Sequence, residues 1–338
     1  MRKTLVGVVI VGGLASLINF AYQAVVASRL EPVDFGLFAA LMTLVVAISA
    51  GASSLQVVSA RAVSTKKNWN PAPKLVDQVS AHAAVVGVLI ALIMIIGSPV
   101  IAQVLRVDFW IITVIAVMIP VLMVEALTLG RIQGRGSVIA VAGVGLALAL
   151  MKVFTAYVAL ALGGGARSLI VLLLILNVIV VLAIASTARQ SGSVEAPLRS
   201  TWILVLVTAQ TSYWAFASLD IFIARVALND AEAGLFAAAA TLAKAVLFVP
   251  GLVALTALPW AGRLYGQRKA RRKVALFTIS ISGFAALSTA LGIVLLGPWV
   301  LVNLLGPEYS DANSLLAPLA FAYLPIGLSS VLLQFHYT

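Results

Sequence analysis

Apolar stretches of about 20 residues, the length that crosses the hydrocarbon core of a bilayer, follow one another along this chain with only short polar breaks. Few folds are open to a chain built that way. In hydrocarbon every backbone N–H and C=O must find its partner inside the protein, so consecutive long apolar runs fold as spanning helices. With 62% of residues hydrophobic and 10% charged, and a mean hydropathy of +1.13, the composition is far from that of a soluble domain. The expected fold class is an all-α polytopic membrane protein. Ten helices are expected, near residues 4–28, 35–62, 77–104, 110–130, 137–161, 168–188, 201–226, 234–262, 274–300 and 312–336. No connection between them is long enough to hold a separate catalytic domain, so the chain is not expected to be an enzyme.

Composition also excludes several chemistries. The chain has no cysteine, which removes disulfides, thiolate nucleophiles and Cys-based metal sites. His82 and His336 stand far apart without a second ligand at metal spacing, so no metal and no bound cofactor are expected. The net charge of +11 would suggest nucleic acid in a soluble protein. Here it follows from the excess of Lys and Arg that cytoplasmic loops carry, and no nucleic-acid partner is expected.

One stretch occurs twice. Gly36-Leu-Phe-Ala-Ala-Leu-Met-Thr-Leu44 returns as Gly234-Leu-Phe-Ala-Ala-Ala-Ala-Thr-Leu242, with seven of nine positions identical at an offset of 198 residues. An arginine opens each copy (Arg29, Arg225) and an acid precedes each glycine by two places (Asp34, Glu232). Gly97-Ser-Pro and Gly297-Pro-Trp are a fainter echo, and Pro120 and Pro318 keep the same offset. Such a repeat describes two similar halves. The expected division is a six-helix transmembrane lobe over 1–190 and a second lobe over 191–338 holding four helices. By symmetry the second lobe is incomplete, and the chain is expected to be a piece of a protein with at least twelve helices.

Charge at the helix ends sets orientation. Of the 22 Lys and Arg, 16 fall on the side of the N-terminus and only Arg29, Arg106, Arg167 and Arg225 on the other. The N-terminus and basic loops are therefore expected in the cytoplasm. The run Arg268–Lys273 reads as a topology anchor that also suits anionic lipid headgroups.

Asn19 and Tyr22, then Arg29-Leu-Glu-Pro-Val-Asp-Phe-Gly-Leu-Phe, resemble the start of bacterial polysaccharide exporters of the Wzx (O-antigen flippase) type. Asp220-Ile-Phe-Ile-Ala-Arg225, Glu232-Ala-Gly-Leu-Phe-Ala237 and Phe248-Val-Pro250 are similar to their seventh and eighth helices. These exporters belong to the multidrug/oligosaccharidyl-lipid/polysaccharide (MOP) flippase superfamily. The resemblance implies two six-helix lobes around a central cavity, in a multi-pass protein of the cell (inner) membrane. It implies alternating-access transfer of a polyprenyl-diphosphate-linked oligosaccharide to the outer leaflet for cell-surface polysaccharide. Membrane lipids, and a polysaccharide polymerase or ligase, are the partners such a role suggests.

Three charges lie well inside expected helices: Lys152, Asp220 and Lys244. Each costs roughly 2.5–3.5 kcal/mol on insertion scales, so a hydrated cavity is the default explanation. At the positions that correspond in the first half, Lys244 replaces Val46 and Asp220 replaces Ala24. Charges that break the repeat are better functional candidates than charges that keep it. Lys152 and Lys244 are expected to meet the substrate diphosphate as point charges. Asp220 is expected to hold Lys244 when the site is empty, or to bind the H+ or Na+ that drives reset. A direct Asp220–Lys244 pair serving packing alone is the competing explanation.

Arg29 and Arg61 are candidates at the cavity mouth, where a guanidinium grips a diphosphate through two parallel hydrogen bonds. Against this stands a topology role with snorkelling side chains. Asn19, Tyr22, Gln23, Gln210 and Tyr213 are candidate sugar contacts, although the same side chains also join helices in membranes. Asn177 reads as an interhelical hydrogen bond, and Glu125, six residues before Arg131, as a surface ion pair.

A drug or organic-cation antiporter of the same superfamily is the main alternative. It would favour an acidic cavity, and two deep lysines against one deep aspartate argue for an anion. A membrane glycosyltransferase or polymerase is less favoured. Glu31 and Asp34 are outer-loop acids, but Glu232 repeats one of them, which marks loop architecture.

Overall fold

A computed structural model describes residues 2–64, 74–189, 200–247, 250 and 268–336. Among them the chain is helical, with no strand. The helices are α1 (Arg2–Ala27), α2 (Pro32–Ser64), α3 (Lys74–Ile96), α4 (Ser98–Leu105), α5 (Phe109–Gly134), α6 (Val138–Ala161), α7 (Ala166–Arg189), α8 (Ser200–Ala227), α9 (Asp230–Ala243), α10 (Arg268–Val300) and α11 (Asn313–His336). A π-helical turn, Leu301–Leu305, and a 3₁₀ turn, Pro307–Ala312, join α10 to α11. Seven of the described helices are long and apolar enough to span a membrane, or eight with the bent pair α3–α4. This is the polytopic α-helical membrane architecture expected from the apolar runs.

Two expected helices are interrupted. The run over 77–104 bends by 60° between α3 and α4. Gly97 stands at the break and Pro99 follows inside the first turn of α4, where its missing N–H would otherwise be an orphan of the helix start. The run over 234–262 is described only in its first part. There α9 ends at Ala243 and Lys244 closes it, while the Leu247 N–H reaches only three residues back to the Lys244 carbonyl.

The chain divides into two compact units. The first comprises Met1–Gly13, Gln23–Ala39 and Leu219–Thr338; the second comprises Leu14–Tyr22 and Ala40–Ser218.

In the first unit the two copies of the repeat lie against each other. A Cβ on Gly36 would fall 2.8 Å from the Gly234 Cα, and one on Gly234 would run into the Pro32 carbonyl. Only hydrogen at both positions allows this approach, the way small residues let helices close up in lipid. The rest of α9 continues the logic: Ala237 to Ala240 and Ala243 are fully buried. The repeated acids sit in the first turns of α2 and α9, where a carboxylate complements the helix dipole. Asn229 caps α9 by accepting the Glu232 N–H at 2.9 Å. Tyr309, fully buried, donates its hydroxyl to the Leu30 carbonyl at 2.8 Å, and its ring meets Phe35 edge-on.

In the second unit α5 is the central helix. It packs against α3, α6 and α7 and approaches α2 at Gly130, where a Cβ would meet Ser59 and the Gln56 backbone. α6 is peripheral: Leu150, Phe154 and Tyr157 are exposed, and only Ala149 and Ala156 are buried.

Candidate functional site

Each unit holds a lysine among its helices: Lys244 closes α9 in the first, and Lys152 lies inside α6 in the second. In the first unit Lys244, left at the end of α9, places its Nζ 3.1 Å from the Asp220 Oδ1 of α8. Tyr323 of α11 donates its hydroxyl to the other oxygen, Oδ2. The Lys244 ammonium also lies 5.8 Å from the centre of the Tyr323 ring, within reach of its electron-rich face. Both oxygens of Asp220 are thus engaged by side chains of the protein itself. The packing pair weighed against a functional site is present as a contact, and Tyr323 completes it.

In the second unit Lys152 lies on the one buried face of α6, between Ala149 and Ala156 at helical spacing. A lysine there cannot remain in lipid at low cost. α6 packs against α5 and α7, and α5 carries a buried acid, Glu125. Glu125 is 7% exposed, and its Oε2 has no hydrogen-bond partner among the described residues. This corrects the expectation of a surface ion pair. Glu125 is set inside α5 by the stripe Met118, Leu122 and Glu125, buried at spacings of four and three residues. It also changes the deep charge balance from two lysines against one acid to two against two.

The remaining candidates are dispersed. Arg29 is exposed, in the turn between α1 and α2. Its repeat partner Arg225 is buried and pairs with Asp230 at 3.1 Å. Asn19 donates to the Ala15 carbonyl of its own helix at 2.9 Å. Tyr22 is buried, Gln23 half-buried, and Tyr213 half-buried with Trp214 edge-on at 5.5 Å. The side chains of Arg61 in α2 and Gln210 in α8 lie outside the described part. Asn177, expected to bridge helices, instead donates to the Leu173 carbonyl one turn back at 2.7 Å. An amide inside an aliphatic helix satisfies one of its donors by that route. Among the described residues no cluster of three metal-ligating side chains occurs.

A profile of the polysaccharide biosynthesis protein family matches residues 25–314. The chain belongs to that family. No curated protein matches the sequence. Solved structures with similar folds include an inward-facing multidrug resistance MATE family transporter of the MOP superfamily, 16% identical, with a TM-score of 0.69 over 98% of this chain and 84% of that one. The lipid II flippase MurJ in an inward closed conformation is 11% identical, with a TM-score of 0.72 over 97% of this chain and 75% of that one. A MOP superfamily transporter from Pyrococcus furiosus, described as having a binding pocket of reverse polarity, is 16% identical, with a TM-score of 0.58 over 98% and 82%. At these identities what is shared is the fold.

Proposed function

We propose that this member of the family moves a polyprenyl-diphosphate-linked oligosaccharide from the cytoplasmic to the outer leaflet by alternating access, in the cell membrane with its N-terminus inside. The observation that carries the proposal is one lysine per unit of a polysaccharide biosynthesis protein, Lys152 inside α6 and Lys244 at the end of α9, where Asp220 holds it. An ammonium inside the bilayer is costly unless something anionic meets it. In the first unit the Asp220 carboxylate does so, and a diphosphate is the substrate group able to take its place. A lysine binds phosphate as a point charge without a fixed fork geometry, which suits a ligand that must be released on the far side. Arg29, Arg61, Asn19, Tyr22, Gln23, Gln210 and Tyr213 are proposed contacts for the headgroup. Asp220 is proposed as the site where an H+ or Na+ gradient acts during reset, and a polymerase or ligase as the consumer of the product.

The test is outward movement of a labelled polyprenyl-diphosphate oligosaccharide in proteoliposomes, comparing wild type with Lys244→Met. Transfer by the wild type that drops at least tenfold in the variant supports the function and the site. Equal transfer removes Lys244 from the site. No transfer by the wild type, with export of organic cations in its place, favours the multidrug antiporter, for which the Glu125 and Asp220 carboxylates would be the attractive groups.

A further inference from the structure

From Ala233 to Pro307 the sequence contains no acidic residue, and within that stretch α10 opens with Arg268-Lys-Ala-Arg-Arg-Lys273, five cations in six positions. Like charges three and four residues apart work against a helix. Cations in a first turn also oppose its dipole, and no acid stands there to offset them. The matching stretch of the first half is built differently. At the offset of 198 residues, 268–273 falls on 70–75, where α3 opens with Lys74 and Asp77 follows. Lys66, Lys67 and Lys74 are scattered there over nine positions, so orientation alone does not require a dense run.

The rest of α10 shows what the run adjoins. Leu276, Phe277, Phe284, Leu291 and Leu295 are exposed along one face, while Thr278, Ser282, Ala286 and Ala290 are buried on the other. Lys273 stands four residues before Phe277, at the end of the exposed face, and both it and Arg272 are exposed. With 33 residues α10 is longer than a hydrocarbon core demands. Counting about 20 residues back from the exposed Trp299, a residue type that sits at membrane interfaces, reaches Ile279. Arg272 and Lys273 then lie past the core on the opposite side, at the level of the headgroups.

We propose that the start of α10 binds an anionic phospholipid of the leaflet that the basic loops face, its phosphate at Arg272 and Lys273 and its acyl chains along the exposed face that begins at Phe277. One molecule then answers both features. The phosphate supplies the negative charge that the stretch lacks, and it relieves the repulsion within the run. The acyl chains cover the apolar stripe. A free phosphate would meet the cations and leave the stripe bare, and a neutral lipid would do the reverse. Arginine takes a phosphate through its planar fork and lysine as a point charge, so the mixed run accepts headgroups without one fixed geometry. The inference goes beyond the transport reading and does not depend on it.

Because the chain has no cysteine, Phe277→Cys takes a single fluorescent label one turn from Lys273. The full chain is placed in nanodiscs of phosphatidylcholine and phosphatidylglycerol, with brominated acyl chains on one lipid or the other to quench the label. Quenching by brominated phosphatidylglycerol should exceed its share of the lipid by about fivefold, the scale of one cation at an anionic surface. The preference should disappear when Arg272→Gln and Lys273→Gln are added. It should also disappear with the run intact at about 1 M salt, where charges are screened within about 3 Å. That second arm needs no substitution in the run, so a variant that fails to fold does not protect the idea. Equal quenching by the two lipids at low salt overturns the proposal, as does a preference that survives high salt. A preference abolished by inorganic phosphate at constant ionic strength overturns it too, because the cations then serve a free anion.

Discussion

Lys152 and Glu125 pose the sharpest question at the scale of single residues, because opposite charges set in neighbouring membrane helices are weak evidence for stability. Replacing both partners by apolar groups of similar size is often neutral or stabilising, whereas removing one leaves a stranded charge and costs about 3–5 kcal/mol. The double variant Lys152→Leu/Glu125→Leu is therefore expected to unfold at a temperature equal to or above that of wild type while losing transport. Retained transport would make the pair a packing device. Asp220→Asn should behave differently. It leaves Lys244 without its counter-charge and is expected to lower stability by about 3–5 kcal/mol, seen as an earlier thermal transition. The three deep charges were legible in the sequence, since a lysine or aspartate in a long apolar run stands out. Glu125 was not, because its nearness to Arg131 along the chain suggested a helix end, and only three-dimensional burial shows otherwise. Tyr323 carried no signal of its own, as an aromatic residue in an apolar helix is ordinary.

Helices were easier to read than their breaks. Apolar length alone marks nearly every element to within a few residues, but it runs straight through the bend between α3 and α4, where Gly97-Ser-Pro99 stands. The reason is physical. The similar Gly297-Pro298 is passed through by α10 without a break, the irregularity coming later as the π-helical turn 301–305. A proline weakens a helix, and the neighbours decide whether it bends. At the same scale, α9 depends on having no side chain where it meets the start of α2. Gly234→Ala is expected to cost about 1–3 kcal/mol through overpacking, and Tyr309→Phe about 1 kcal/mol through the loss of its hydrogen bond to the Leu30 carbonyl. Both are measured by thermal unfolding in detergent.

For the molecule as a whole, hydropathy was sufficient for the fold class, since lipid leaves a polytopic chain little besides helices. Orientation rests on the Lys and Arg asymmetry and is open to direct measurement. Because the chain has no cysteine of its own, single cysteines report cleanly. Ser137→Cys, exposed after α5, is expected to react with an impermeant thiol reagent only after the cells are opened. Ser168→Cys, exposed near the start of α7, is expected to react in intact cells. The reverse pattern would invert the topology.

The contact between Gly36 and Gly234 carries a last consequence, for how such a protein can diverge. Two copies of a duplicated segment ordinarily drift apart, each answering to its own surroundings. Here each copy is part of the other's surroundings, and a side chain gained by either would have to be accommodated by its twin. Mutations at these positions are thus expected to be inherited together or lost. The likeness of the two segments then records a present-day mutual constraint and gives no measure of how long ago the halves separated.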